Sequence, residues 1–149
     1  SRYWGVQTCC LRIFSAYGPG LKKQLLWDLF HKIKEQDEPT LWGTGRESRD
    51  FIYISDIVKI IELSITHSKF DGEVVNVANG RQITIATVAE TIRQVSGTCK
   101  RIRFSGEERK GDPINWEADI SVIKGWGYQP SIELEEGATK YIDWVRKYE

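Results

Sequence analysis

The hydrophobic residues of this chain alternate between two spacings, one typical of β-strands and the other typical of α-helices. Every second residue of a strand points to the same face, whereas a helix repeats its apolar face about every 3.6 residues. Apolar residues at helical spacing separate the segments that have the strand pattern. Those strand-type segments are residues 6–14, 40–42, 51–54, 74–78 and 100–104. The alternation predicts an α/β fold in which at least some strands pair in parallel.

Five helices are predicted from apolar spacing and from the residues at their ends. The first covers roughly 15 residues from Leu21, since its apolar residues recur at steps of three and four. The second is capped by Ser55 or Asp56 and ends at about His67. Its inward face is predicted to consist of four isoleucines: Ile57, Ile60, Ile61 and Ile65.

The three remaining helices have recognisable end signals. Thr84 is predicted to cap one of them, and Asp119 is predicted to cap a short one. The last helix follows Pro130 and has acidic residues in its first turn and basic residues in its last, as the helix dipole favours. A turn at Asp71-Gly72 is predicted just before the strand in the middle of the chain.

Charge and cysteine content restrict the partners and the compartment that we expect. Lys+Arg and Asp+Glu both number 21, so the basic excess of a nucleic-acid-binding protein is absent. No apolar stretch approaches the roughly 18 residues of a membrane span, so no membrane partner is expected. Cys9, Cys10 and Cys99 are an odd number without metal-type spacing, and neither histidine has a ligand partner. We therefore expect buried reduced thiols, no metal site and a cytoplasmic protein. Because methionine is absent, we also expect the sequence to be a processed or excised piece.

Two loops combine glycines with charged side chains and are the candidate binding segments. In residues 43–51, two glycines allow close approach of a ligand to the backbone, and Arg49 offers parallel donors to a phosphate. Residues 109–113 place two cations, a glycine and Asp112 in succession. The alternative is that both loops are solvated charge networks, for example an Arg49–Asp50 pair at the surface.

Six short motifs follow one another along nearly the whole chain. They are LRIFSAYGPG at 11–20, GTG with SRDFIYISD at 43–56, VNVA at 75–78, RKGDP with AD at 109–119, GW with P at 125–130, and LEEG with W at 134–144. Their order and spacing resemble the C-terminal half of the extended short-chain dehydrogenase/reductase family, specifically its nucleotide-sugar epimerases and dehydratases. The resemblance implies partial Rossmann-type sheet strands plus a small α/β substrate-binding lobe. It treats residues 1–149 as a single domain.

The resemblance implies a site for a nucleotide-diphosphate-sugar. Arg49 and Arg109 match the arginines that bind the diphosphate in this family, and Asp112 matches the residue that contacts the ribose. Ser15 stands where many members carry an asparagine that hydrogen-bonds the substrate phosphates.

The same resemblance implies contacts for the base, the sugar and the cofactor. Trp116 falls where the family sets the size of the pocket near the sugar. Phe14 lies on the strand end that approaches the nicotinamide of NAD in complete enzymes. The strand that lies along the nucleotide base is matched by Thr40, Leu41 and Trp42.

Two parts of such an enzyme are missing from this sequence. It contains no G-x-G-x-x-G turn, and none of its six tyrosines is followed by a lysine four residues later. Without the turn, the NAD pyrophosphate has no helix N-terminus to occupy. Without the Tyr/Lys pair, no residue takes the proton of a substrate hydroxyl. We therefore expect that the N-terminal dinucleotide-binding half is missing, that no residue is catalytic, and that the chain alone is inactive and binds no NAD.

Two functions of different classes are left open. The first is the nucleotide-sugar-binding part of an NAD-dependent epimerase or dehydratase in carbohydrate metabolism, an isomerase or lyase of the UDP-glucose 4-epimerase type. The second is a non-catalytic, self-associating structural or interaction module from a truncated gene. The apolar segment at 6–14 is typical of a strand buried on both faces, so an isolated copy is expected to cover it by forming a homodimer.

Overall fold

The computed structural model describes residues 4–108 and 111–149, and it has the α/β architecture that the sequence predicts. Its helices are α1 (Gln24–Glu35), α2 (Ile54–His67), α3 (Ile85–Val95), α4 (Ser121–Gly125) and α5 (Leu134–Tyr148). Its strands are β1 (Thr8–Ile13), β2 (Ser15–Tyr17), β3 (Thr40–Leu41), β4 (Ser48–Arg49), β5 (Phe51–Tyr53), β6 (Asp71–Val77), β7 (Ile83–Thr84) and β8 (Arg103–Phe104).

These strands pair two by two, and three of the four pairs are parallel. β1 lies beside β6, β2 beside β5 and β3 beside β8 in parallel, whereas β4 and β7 are antiparallel. Parallel neighbours need long crossover connections, which the intervening helices provide here. The prediction of a partly parallel α/β fold is confirmed.

Two apolar clusters form the core, and they lie on opposite faces of the β2–β5 pair. In the first, α2 and α4 cover one face of the β1–β6 pair, with Ile57, Ile60, Val75, Val77 and Ile123 fully or almost fully buried. In the second, α1, α3 and α5 cover the face of the β2–β5 pair that carries Tyr17, Phe51 and Tyr53. None of the helices in the described ranges is both long and apolar enough to cross a bilayer.

The predicted strand at residues 6–14 is divided because the chain changes its neighbour. The Phe14 amide still donates to the Val77 carbonyl at the end of β6, at 3.0 Å. The next amide, of Ser15, donates to the Asp50 carbonyl beside β5, at 3.1 Å. β1 and β2 are therefore separate strands with different partners.

Two other predicted boundaries are wrong for related reasons. Asp71 and Gly72 do not form a turn, because they already belong to β6, and Asp71 pairs with Thr8 of β1. The strand predicted at 100–104 is limited to β8, since its partner β3 is only two residues long.

The prediction for the start of α2 is also wrong. The residue in the capping position is Tyr53, and it makes no side-chain capping bond. Asp56 lies inside the first turn, where its carboxylate accepts hydrogen bonds from the backbone N–H groups of Ser131 and Ile132. A distant loop thus uses the acceptor that was expected to cap the helix.

The apolar face of α2 is narrower than the four isoleucines suggest. Ile57 and Ile60 are buried as predicted, whereas Ile61 and Ile65 are 41% and 67% exposed. Ser64, four residues after Ile60, takes the inward position and donates its hydroxyl to a backbone carbonyl one turn earlier. A stripe of isoleucine therefore remains on the outside of this helix.

Predictions for two other helices agree with the structure, and one does not. The Thr84 hydroxyl accepts from the Thr87 amide at 3.1 Å and caps α3. Asp119 does not cap α4, because Ile120 occupies the capping position, but its carboxylate accepts from the Ser121 amide at 2.9 Å. Helix α5 has the expected acidic first turn and basic last turn.

The cysteines are free but are not buried as expected. Cys9 is partly exposed, and Cys10 and Cys99 are exposed. Cys10 pairs with Val74, which is also exposed, because α2 and α4 cover only the opposite face of the β1–β6 pair. The expectation that β1 is buried on both faces is wrong for this chain by itself.

Helix α5 approaches β2 closely at Gly137, beside the ring of Tyr17. Tyr17 is 3% exposed, and its ring packs edge-on against Phe51 and Tyr53. A Cβ atom at position 137 would lie 2.8 Å from Cε2 and 2.9 Å from Cζ of Tyr17. Only glycine lets the helix pack against the tyrosine at this distance.

We expect Gly137→Ala to lower the free energy of unfolding by about 1–3 kcal/mol through overpacking, as measured by urea denaturation. Intrinsic helix propensity would act in the opposite direction, because alanine favours a helix by about 1 kcal/mol over glycine. Gly125→Ala is the matched control, since no atom lies within 4 Å of its Cβ position. Equal effects of the two substitutions would contradict the packing argument.

Candidate binding site

A cavity of about 930 Å³ opens between β2, the start of α1, residues 42–49, Glu108 and residues 111–114. Four of the residues predicted to bind a substrate lie in its lining: Ser15, Trp42, Arg49 and Asp112. The volume is at the upper end of the range for small-molecule sites, about 300–1,000 Å³. The structure therefore brings these residues, distant in sequence, to one place.

A second cavity of about 580 Å³ lies at the carboxyl end of β1. Phe14 and Trp116 line it, and their ring centroids are 5.8 Å apart. Ser15 and Gln24 line both cavities, so the two spaces adjoin one another. The residues predicted for the sugar and the nicotinamide thus lie next to those predicted for the phosphates.

Three predicted residues are placed differently. Thr40 is exposed on β3, and the Leu41 side chain is buried in the core. Neither belongs to the described lining of the two cavities. Arg109 lies outside the described residues, and so does its predicted convergence with Arg49.

Arg49 connects the wall of the first cavity to an aromatic side chain of the second. Its Nη1 donates to the carbonyl oxygens of Ser48 and Pro113, both at 2.8 Å. Its guanidinium carbon lies 5.7 Å from the ring centroid of Trp116, within the range of a cation–π contact. A guanidinium has five N–H donors, so these two bonds leave three for an anion in the cavity.

Asp50 lies directly behind Arg49 and is completely buried. Its carboxylate accepts from the amides of Asn79, Gly80 and Ala118 at 2.9, 3.0 and 3.1 Å. Among the described residues, no cationic side chain forms an ion pair with it. Burial raises the pKa of Asp50, and the three N–H donors oppose that shift. The alternative of an Arg49–Asp50 surface pair is therefore wrong.

The glycine loop at 43–47 forms a fixed part of the first cavity wall. Gly43 and Gly45 have φ angles of +98° and +81°, a left-handed region that favours glycine. Glu47 accepts from the Thr44 amide at 2.9 Å and from its hydroxyl at 3.1 Å. The Thr44 amide lowers the pKa of Glu47, so the carboxylate that holds the loop is charged at neutral pH.

Sequence reasoning missed two residues of this region. Gln24 lines both cavities and has a φ of +70°, which nothing in the sequence signals. The two-residue repeat of a β-strand could have identified Asp50 as a buried residue. In a strand, Ser48, Asp50 and Ile52 share one face. All three are buried.

Fold and site together define an α/β protein with a small-molecule cleft where parallel strands end, the usual location in such sheets. The model of the NAD dependent epimerase/dehydratase family matches residues 1–78. The chain belongs to this NAD-dependent epimerase/dehydratase family, and the resemblance seen in its motifs is confirmed.

Curated relatives and solved structures support the same assignment. An uncharacterized UDP-glucose epimerase of Bacillus subtilis is 33% identical over 144 residues, which are 95% of this chain and 45% of that protein. The UDP-glucose 4-epimerase of Thermotoga maritima, solved with UDP-glucose, is 25% identical with a TM-score of 0.85 over 99% of this chain and 48% of that one.

A third relative was solved with both a nucleotide-sugar and a cofactor. The UDP-glucuronic acid 4-epimerase of Bacillus cereus, in complex with UDP-glucuronic acid and NAD, is 26% identical with a TM-score of 0.86. The match covers 99% of this chain and 48% of that chain. This chain therefore spans about half the length of the proteins it resembles.

Proposed function

We propose that residues 1–149 form a single domain that binds a nucleotide-diphosphate-sugar and is the substrate-binding part of an NAD-dependent sugar epimerase or dehydratase. The observation that carries the proposal is the position of Arg49 on the wall of the 930 Å³ cavity, beside Ser15, Trp42 and Asp112. Family membership and the UDP-sugars of the solved relatives support it.

The chemistry of the lining matches the parts of such a ligand. The Arg49 guanidinium suits a diphosphate, because charge-assisted N–H bonds to phosphate are strong and directional. The exposed indole of Trp42 offers an apolar surface to a base. In the adjoining cavity, Trp116 and Phe14 supply an aromatic wall for the sugar.

The residues of this chain do not by themselves fit NAD. Phe14, the residue that the resemblance assigns to a nicotinamide contact, lines the second cavity. The sequence has no glycine-rich turn between a strand and a helix to hold the pyrophosphate. We propose that the complete enzyme binds NAD through residues outside this sequence.

We propose a cytoplasmic location, for which the cysteines provide support. All three are free thiols, with no disulfide between them. Disulfides are typical of oxidising compartments and rare in the cytosol.

We expect Arg49→Ala to weaken binding of UDP-glucose by about 1.5–3 kcal/mol, the usual contribution of a hydrogen bond to a charged group. Isothermal titration calorimetry against UDP-glucose measures the change. Arg101→Ala is the matched control, since it removes the same charge from an exposed residue in a different groove. Equal affinities of the wild type and Arg49→Ala would contradict the proposed site.

We expect the chain alone to have no epimerase, dehydratase or dehydrogenase activity. No tyrosine in the sequence has a lysine four residues later to assist proton transfer. The test incubates the purified chain with UDP-glucose and NAD and follows products by chromatography and NADH by absorbance. Turnover would show that the chain is catalytically competent without a further segment, and micromolar NAD binding would contradict the expectation that the chain alone binds no cofactor.

A homodimer is proposed from the apolar groups that this chain leaves exposed. Val6, which precedes β1, is 57% exposed, and Ile13, the last residue of β1, is 47% exposed. On α2, Ile61 and Ile65 are also exposed. Such groups favour association, which also supports the alternative of a self-associating module without catalysis.

We expect sedimentation velocity at micromolar concentration to show a species of twice the 17.2 kDa chain mass. An interface of this kind would bury more than about 1,000 Å² in total. Replacing both Ile13 and Val6 by lysine should shift the population toward the monomer, because each charge would have to be desolvated. A single species at the chain mass in the wild type would contradict the dimer.

A further inference from the structure

We propose that Asp50 is a positioning residue that holds the 111–118 segment against the two cavities. This segment carries Asp112, which lines the first cavity, and Trp116, which lines the second. The inference rests on the proposed function, because it assigns the segment a ligand. Its structural part can be tested without one.

Three consecutive residues fasten the segment to the β4–β5 region. The Ser48 amide donates to the Ile114 carbonyl at 2.8 Å, and Arg49 donates to the Pro113 carbonyl at 2.8 Å. Asp50 accepts from the Ala118 amide at 3.1 Å.

Trp116 lies between the two fastened ends of this segment. Its exposed ring therefore depends on attachments at residues 113–114 on one side and at Ala118 on the other. The Ala118 attachment is the one that reaches into the core, because both Ala118 and Asp50 are buried. Loosening it would free the segment on the C-terminal side of the indole, while the Ser48 hydroxyl still bonds Asn115 on the other side.

The same carboxylate also fastens the end of β6. Its Oδ1 accepts from Asn79, and its Oδ2 accepts from both Gly80 and Ala118. The residue therefore joins the 111–118 segment to the region that follows β6, and Asn76 of that strand lines the second cavity.

An asparagine cannot reproduce this arrangement. One carboxylate oxygen would become an NH2 group facing an N–H donor, so at least one backbone amide would be left without its acceptor. In a buried site such a loss costs the full desolvation of that group. Asp50→Asn therefore keeps the shape of the side chain and removes its bonding pattern.

Hydrogen–deuterium exchange of the ligand-free protein tests the structural step. We expect the Ala118 amide of the wild type to be protected, although it lies outside every helix and strand. In Asp50→Asn we expect faster exchange at the amides that bond to the carboxylate, those of Asn79, Gly80 and Ala118, with at least one of them accelerated tenfold or more. A wild-type Ala118 amide that exchanges as fast as the amides of Trp116 and Glu117, which have no acceptor among the described residues, would overturn the proposal, even if the variant does not fold.

Asp56→Asn is the matched control. Asp56 is equally buried, six residues further along the chain, and it accepts from the amides of Ser131 and Ile132. That substitution should speed exchange at 131–132 and leave the amides of Asn79, Gly80 and Ala118 unchanged. Equal acceleration of these three amides in both variants would mean general destabilisation and would overturn the assignment.

Calorimetry with UDP-glucose completes the test. We expect Asp50→Asn to raise the Kd at least tenfold and Asp56→Asn to change it less than twofold. A wild type that binds UDP-glucose together with an unaffected Asp50→Asn would overturn the positioning role and leave the proposed function intact. No binding by the wild type would overturn the proposed function, whereas the exchange results would still decide whether Asp50 holds the segment.

Discussion

The change of strand partner at Phe14 and Ser15 is the constraint on which the rest of this structure depends. Consecutive amides donate to two different regions, the end of β6 and the residue before β5. Buried backbone groups must be satisfied, so this junction fixes how the β1–β6 pair sits against the β2–β5 pair. Both cavities lie at the junction, and Ser15 lines each of them. The position of the site is therefore a consequence of strand pairing.

Two buried carboxylates stabilise the loops around this junction. Neither is paired with an equally buried cation among the described residues. Asp50 is surrounded by backbone donors, and Asp56 binds the loop at 131–132 with only a half-exposed lysine nearby, Lys59. Backbone N–H groups are neutral donors whose positions are set by the chain itself. Such groups make a buried charge tolerable and also make the loop geometry specific.

The helices and strands could be predicted from the spacing of hydrophobic residues. Which element lies beside which could not be predicted in this way. Apolar spacing located five helices and the main strands, and the Thr84 cap followed from residue type alone. The division of the strand after Ile13 was missed, because a period of two says nothing about which strand lies alongside. The Asp56 cap was wrong for a similar reason: the competing donors come from residues 75 positions away.

The candidate site was predictable to the extent that motifs marked it. Arg49 and Asp112 were found from their glycine-containing loops, whereas Gln24 has no such signal. The exposure of Cys10 and Ile65 could not be predicted from residue type. Residue type shows that a side chain is apolar but not whether another element of the chain covers it.

The double role of Arg49 has a thermodynamic consequence. One side chain holds the Pro113 carbonyl and lies over the Trp116 ring while it faces the first cavity. In the proposed site, an anion drawn to this guanidinium acts on the group that also orients the indole beside the sugar. The two ends of a single ligand are then energetically coupled, so the affinity for a whole nucleotide-sugar is not the sum of the affinities of its parts. Selectivity for the sugar would be set partly by a contact made with the phosphates.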